Sequence, residues 1–150
     1  MIAGQMTPGQ GLKVRQAAAQ ATFDRFNGAV FRWSSNDCAR LAAFVVRRLG
    51  HGPKMPKAGT YSSALGARRA LKAAGFDSLE AALDAMGFER IPPASALPGD
   101  IVAIPGVGGW SALTVALGNG RVLGFMDGRG GAMQPKLYVC AWRVPPCRRP

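Results

Sequence analysis

A chain of 150 residues with 48% hydrophobic content is long enough for one complete core and short for two. Nineteen Lys and Arg against eight Asp and Glu leave a formal charge of +11, which suits an acidic partner (nucleic acid, an anionic membrane surface or an acidic protein face) or simply a solvated basic surface. The longest apolar run, Leu41 to Val46, is far below the roughly 20 residues that span a bilayer, and Met1 to Gln10 lacks the apolar stretch of a signal peptide. Three widely spread cysteines, Cys38, Cys140 and Cys147, give neither a disulfide framework nor a zinc spacing. No metal or cofactor is expected on that count, and a reducing cytoplasm is the default setting for folding.

In chain order, Met1 to Gly9 reads as a leader. Gln10 to Asn27 reads as a helix, with Leu12, Ala18, Ala19, Phe23 and Phe26 on one apolar face and Gly28 closing it. The next helix starts at Cys38, after Asn36-Asp37, either of which can cap it. Cys38, Leu41, Ala42, Val45, Val46 and Leu49 keep the i, i+3, i+4, i+7 spacing, and Gly50 ends the run. A cysteine at that position meets the free N–H groups and positive dipole end of the first turn, which favour a thiolate. The competing reading makes it a small apolar residue on the helix's own stripe. Ser62 or Ser63 can cap a third helix running to Ala74, and Asp77-Ser78-Leu79-Glu80 resembles a capping box for a short fourth ending at Gly87.

The periodicity then changes. Asp100 to Ile104, Ala112 to Leu117, Arg121 to Met126 and Tyr138 to Val144 are short strand-like runs divided by Gly and Pro. Gly118-Asn119-Gly120 reads as a tight hairpin, which requires antiparallel pairing. The expected architecture is α+β: N-terminal helices packed on a small antiparallel sheet, in one domain over residues 10–144, with Pro145 to Pro150 as a tail. Trp110, between Gly108-Gly109 and a strand, is the candidate for an exposed contact. Arg148 and Arg149 are candidates for pairing with acidic groups on a partner. No basic helix, finger spacing or aromatic RNA-binding strand supports nucleic-acid recognition beyond charge.

Asp37-Cys38 at a helix start, Pro98-Gly99-Asp100-Ile101-Val102 as a strand entry, and a strand running into Leu117-Gly118-Asn119-Gly120 together resemble the NlpC-type branch of the papain-like cysteine peptidases. Phe31-Arg32-Trp33, Tyr61-Ser62-Ser63, Gly66-Ala67, Arg69-Ala70-Leu71 and Ala141-Trp142-Arg143 are similar to an uncharacterised NlpC-like family of phage and prophage tail clusters. The resemblance covers Phe31 to Val144. It implies a papain-like fold with Cys38 at the nucleophile position, and it puts Ala112 where the catalytic His would stand. Alanine cannot take a proton. The strand Val122 to Met126 offers no polar residue to orient a base. His51, about thirteen residues along the helix and roughly 20 Å from Cys38, suits a helix C-terminal cap.

The resemblance therefore implies a non-catalytic assembly component of a phage-like tail tip or baseplate, a pseudoenzyme made in the host cytoplasm and carried in the virion, with other tail proteins as partners. Two alternatives stay open. One is a cell-wall (peptidoglycan) cysteine peptidase or amidase using Cys38 with an unconventional base, such as one supplied by a neighbouring subunit; the other is a basic nucleic-acid-binding accessory protein. Cys140 and Cys147 are left open as ligands of a metal or cluster shared with a partner.

Overall fold

The computed structural model describes residues 6–52 and 61–147. Helix α1 spans Pro8–Phe26. Thr7 caps it: the Gln10 N–H donates to Thr7 Oγ1 (3.2 Å), and the Thr7 N–H donates back to Gln10 Oε1 (2.9 Å). That reciprocal box, with Pro8 in the first turn, starts the helix two residues ahead of Gln10, so Pro8 and Gly9 belong to α1 and not to a leader. Ala18, Ala19 and Phe26 are buried as the spacing predicts, whereas Leu12 is exposed and Arg15 takes a buried place instead.

Helix α2 is Cys38–Arg48, α3 Ala64–Ala73 and α4 Leu79–Ala85. Their caps are Asp37, Ser63 and Ser78, whose side chains accept from Arg40 N, Gly66 N and Ala81 N. Asn36 does not cap α2; its amide joins Val30 O and Arg25.

Six strands follow: β1 Glu89–Ile91, β2 Ile101–Pro105, β3 Ser111–Gly118, β4 Arg121–Met126, β5 Arg129–Met133 and β6 Cys140–Arg143. They form one antiparallel sheet in the order β1-β6-β2-β3-β4-β5, so the last strand inserts between the first two. The fold is α+β, with the helices preceding the sheet in the chain. The β3–β4 connection is a two-residue loop in which Asn119 (φ 56°) and Gly120 (φ 74°) both lie in the left-handed region, as a twist-matched hairpin turn requires. Strands β1 and β5 have no counterpart in the sequence reading. The first is three residues long, two of them charged; the second, Arg-Gly-Gly-Ala-Met, has no β-branched residue.

Alternation sorts the sheet into two faces. Leu113 and Val115 of β3, Ile101 and Ala103 of β2, Leu123 of β4 and Trp142 of β6 pack with Leu41, Val45 and Leu49 of α2 and Leu83 of α4 in the main core. Val102, Ala116, Val122 and Ala141 form a smaller cluster on the opposite face, with Ile91, Ile104 and Met133 over it.

Asp100 of the Pro-Gly-Asp turn is fully buried and joins three parts of the chain. Its Oδ1 accepts from Arg15 Nη1 of α1 (2.9 Å) and from the Val144 N–H (2.9 Å), while Oδ2 accepts from the Leu97 N–H (2.9 Å). Arg143 Nε stands 3.5 Å from Oδ2 as a second, more exposed cation; removing Asp100 leaves the Arg15 guanidinium buried without its carboxylate, a loss of about 3–5 kcal/mol. The motif that entered as a family signature is therefore a structural anchor.

The segment after β6 also docks. The Cys147 N–H donates to Leu49 O (2.7 Å), and His51 Nε2 meets Pro145 O at 2.6 Å. A carbonyl only accepts, so that nitrogen carries the proton. The tail that begins at Pro145 is thus fastened as far as Cys147, because the end of α2 supplies its partners. Arg148 and Arg149 lie outside the described residues. His51 also stacks edge-on against Phe88 (5.2 Å between ring centres), so its ring is a fastener for the C-terminal segment and not the helix cap expected of it. No helix among the described residues is long and apolar enough to cross a membrane.

Candidate functional site

The start of α2, the segment before it and Tyr61 meet at the end of the sheet where β3 begins. Asp37 is buried, and its carboxylate is fully engaged. Oδ1 accepts from the Arg40 N–H (2.9 Å); Oδ2 accepts from the Ser34 N–H (2.9 Å) and from the Tyr61 hydroxyl (2.6 Å). Ser34 reaches this position with φ at +70°, a left-handed conformation that costs a non-glycine residue about 1–2 kcal/mol. Its Oγ lies 2.7 Å from Tyr61 O and 2.6 Å from Tyr61 N. Ser34, Asp37 and Tyr61 are thereby one hydrogen-bonded unit around the helix cap.

Cys38 is partly buried and packs against the main core. Burial pushes its thiol above the ordinary range, and the Asp37 charge adds to that; the backbone N–H groups of Leu113, Cys38 and Ala39 pull the other way without reversing it. Of the two readings of this cysteine, burial favours the small apolar residue on the helix's own stripe over the stabilised thiolate. The helix end contributes with the expected sign, but desolvation outweighs it. Tyr61 is likewise pushed up, first by burial and then by its hydrogen bond to Asp37, so it stays a donor at neutral pH.

Strand β3 comes to the cysteine, but not through Ala112, the position that the resemblance puts at the catalytic His. The main chain that meets the sulfur is that of Leu113. Ala112 pairs across the sheet with Ile104, which belongs to the opposite face, so side-chain alternation puts Ala112 on that face as well. Position 112 therefore supplies no base and does not point to the α2 side. On β4 the nearest candidates for an orienting group are Gly124, Phe125 and Met126, none of them polar.

A run of edge-to-face rings links the core to this site: Phe44 to Phe26 (5.6 Å), Phe26 to Phe125 (6.2 Å), Phe125 to Phe31 (5.4 Å), Phe31 to Trp33 (4.8 Å) and Trp33 to Tyr61 (6.2 Å). Trp33 is 38% exposed at its end. Trp110 is half-buried beneath Arg68, whose guanidinium lies 4.3 Å from the ring centre and donates to Gly108 O (3.2 Å). The exposed residue of that loop is Val107, not the tryptophan. Trp142 is a core residue whose indole N–H donates to Asp84 Oδ1 (2.9 Å).

Cys140 sits in β6, half-buried, its thiol raised by burial; Cys147 is exposed beside Phe44, Arg47 and Arg48. Among the described residues no group of His, Cys, Asp or Glu is arranged to hold a metal ion. Ser34 and Tyr61 carried no signal as Asp37 partners, because Tyr61 lies 24 residues away in the chain and no periodicity spans that gap.

Comparison with curated proteins gave no match. A family model described as a domain of unknown function, DUF6950, matches residues 12–144, which run from α1 through β6 and include every residue of the Asp37–Cys38–Tyr61 arrangement. The chain belongs to the DUF6950 family.

Proposed function

We propose that this chain is a non-catalytic assembly component of a phage-like tail tip or baseplate, built on a cysteine-peptidase-like fold that has lost its chemistry. One observation carries the pseudoenzyme part: among the described residues the groups that hydrogen-bond the Cys38 sulfur are donors, and no hydrogen bond from its thiol to an acceptor is found. The N–H groups of Leu113, Cys38 and Ala39 can only donate. Asp37 is occupied by three donors, and Tyr61 is one of them. The single histidine of the sequence is bound to Pro145 O at the far end of α2. General-base activation of a thiol needs an acceptor within about 3 Å. The tail-assembly part rests on the resemblance of the motif set to tail-cluster proteins and on the +11 charge, which favours an acidic neighbour.

A second reading keeps the cysteine chemistry. The same three N–H groups favour a thiolate, so a base supplied by a neighbouring subunit would make Cys38 a nucleophile toward peptidoglycan stem peptides. Purified protein incubated with peptidoglycan separates the two. The expected result is no muropeptide release, together with unchanged incorporation of Cys38→Ser into particles. Release that disappears in Cys38→Ser would establish the peptidase reading. Absence of the chain from purified particles would overturn the assembly reading, and tight, salt-sensitive duplex binding would replace it with nucleic-acid recognition.

A further inference from the structure

Helix α3 differs from its neighbours: none of its ten residues is buried. Ala67, Ala70 and Leu71 are half-covered, while Leu65 is 57% exposed. A ten-residue helix with a glycine inside it is not stable in water on its own propensity. The contacts that tie α3 to the body include the Tyr61 hydrogen bonds just ahead of it and the Arg68 clasp on Trp110 and Gly108, while the Ser63 cap closes its first turn locally. The clasp brings α3 beside Val107, which is 95% exposed.

The charge of this surface has one sign. Arg68, Arg69 and Lys72 are all exposed, α3 contains no carboxylate, and the three cations take no part in the ion pairs found among the described residues. Although the sequence reading found no basic helix, α3 is one.

We propose that α3, with Val107 beside it, is a docking surface for an acidic segment of another protein that seats an apolar side chain against Leu65 and Val107. Carboxylates of that segment pair with Arg69 and Lys72, and the apolar contact supplies the burial that α3 does not find among the described residues. Duplex DNA would satisfy the cations and leave Leu65 and Val107 in water. A lipid surface would find too little apolar area on a helix with two leucines and no aromatic residue. The surface deepens the assembly reading by naming where a neighbour binds, yet its test does not depend on particles.

Amide hydrogen exchange of the purified full chain reads it. Amides of Ala64–Ala73 should exchange faster than those of Cys38–Arg48 in the free protein. A random glutamate–tyrosine copolymer at ten times its dissociation constant should slow α3 exchange by about tenfold. Arg69→Glu with Lys72→Glu should abolish that slowing, whereas Arg121→Glu, on the β3–β4 hairpin, should not. The proposal is overturned if the copolymer leaves α3 unchanged, if α3 is already as protected as α2, or if duplex DNA or phosphatidylglycerol vesicles slow it as strongly. A failed copolymer experiment with the chain still present in particles removes this surface alone. Copolymer binding by a chain absent from particles removes the assembly reading alone.

Discussion

Asp37 and Cys38 are adjacent in sequence and opposite in chemistry. The carboxylate is buried with two main-chain N–H groups and a phenol donating to it, whereas the thiol beside it keeps its proton because donors alone do not offset its desolvation. A consequence follows for stability against pH. Cys38 has a folded pKa above its ordinary value of 9.0, so folded and unfolded chains hold the same proton below that pH and the thiol contributes no slope there. Above pH 9 the unfolded chain loses the proton first, and stability falls, by at most about 1.4 kcal/mol per pH unit from this one group. Tyr61 adds a second decline above its ordinary value of 10.0. Urea melts from pH 8 to 10.5, in a Cys140→Ser background that removes the other raised thiol, should show the first decline, and Cys38→Ser should flatten it. An unchanged slope in Cys38→Ser would mean that the thiol is not desolvated.

Among the elements, those with complete local signals were legible. Helix α2 combines an Asp cap, an unbroken apolar stripe and Gly50; α3 and α4 have serine caps at the expected places. Strand β5 was missed although Asp127-Gly128, with φ at 52° and 80°, is the same kind of hairpin turn as Asn119-Gly120. Its two glycines hid it, and they have different reasons to be there. A Cβ on Gly130 would overlap the Phe26 carbonyl oxygen, because the end of α1 lies directly on the strand; a Cβ on Gly131 would meet open space. Gly130→Ala should therefore lower the melting temperature by several degrees, as backbone strain of about 1–3 kcal/mol does in a domain of this size. Gly131→Ala should be neutral or slightly stabilising, because it restricts the unfolded chain. Equal effects of the two would contradict the α1–β5 contact.

At the scale of the whole molecule, the two ends of the described chain close on the same core. Arg15 of α1 reaches Asp100 at the start of β2, the Val144 N–H reaches the same carboxylate, and Pro145 and Cys147 fasten to His51 and Leu49. Deleting residues 145–150 should then lower the melting temperature of the isolated protein by about 2–8 °C, the equivalent of one or two hydrogen bonds in a domain of this length. An unchanged melting temperature would mean that the segment is held by assembly partners alone. The α+β arrangement also divides the buried residues in two. Leu113, Val115 and Leu123 pack with helix residues in the main core, whereas Val102, Ala116, Val122 and Ala141 pack with strand and connecting-segment residues such as Ile91, Ala96 and Met133.

Local chemistry was enough to determine the helix caps, the Asn119-Gly120 hairpin, the antiparallel pairing and the position of Cys38 at a helix start. Each of these depends on residues a few positions apart, where spacing and backbone preference act directly. Tertiary structure alone decided that Asp37 is shared with Ser34 and Tyr61, that Asp100 is an anchor for Arg15, and that β6 lies between β1 and β2. It also turned Ala112 away from the α2 face and placed Arg68 over Trp110. Ser34 and Asp37 are three positions apart, but the Asp37–Tyr61 and Asp100–Arg15 pairs join residues 24 and 85 positions apart, and their partners are chosen by burial: a carboxylate driven out of water takes whatever donors the fold brings to it. The protonation of Cys38 follows from the same cause, since the helix end that favours a thiolate is written in the sequence and the desolvation that outweighs it is not.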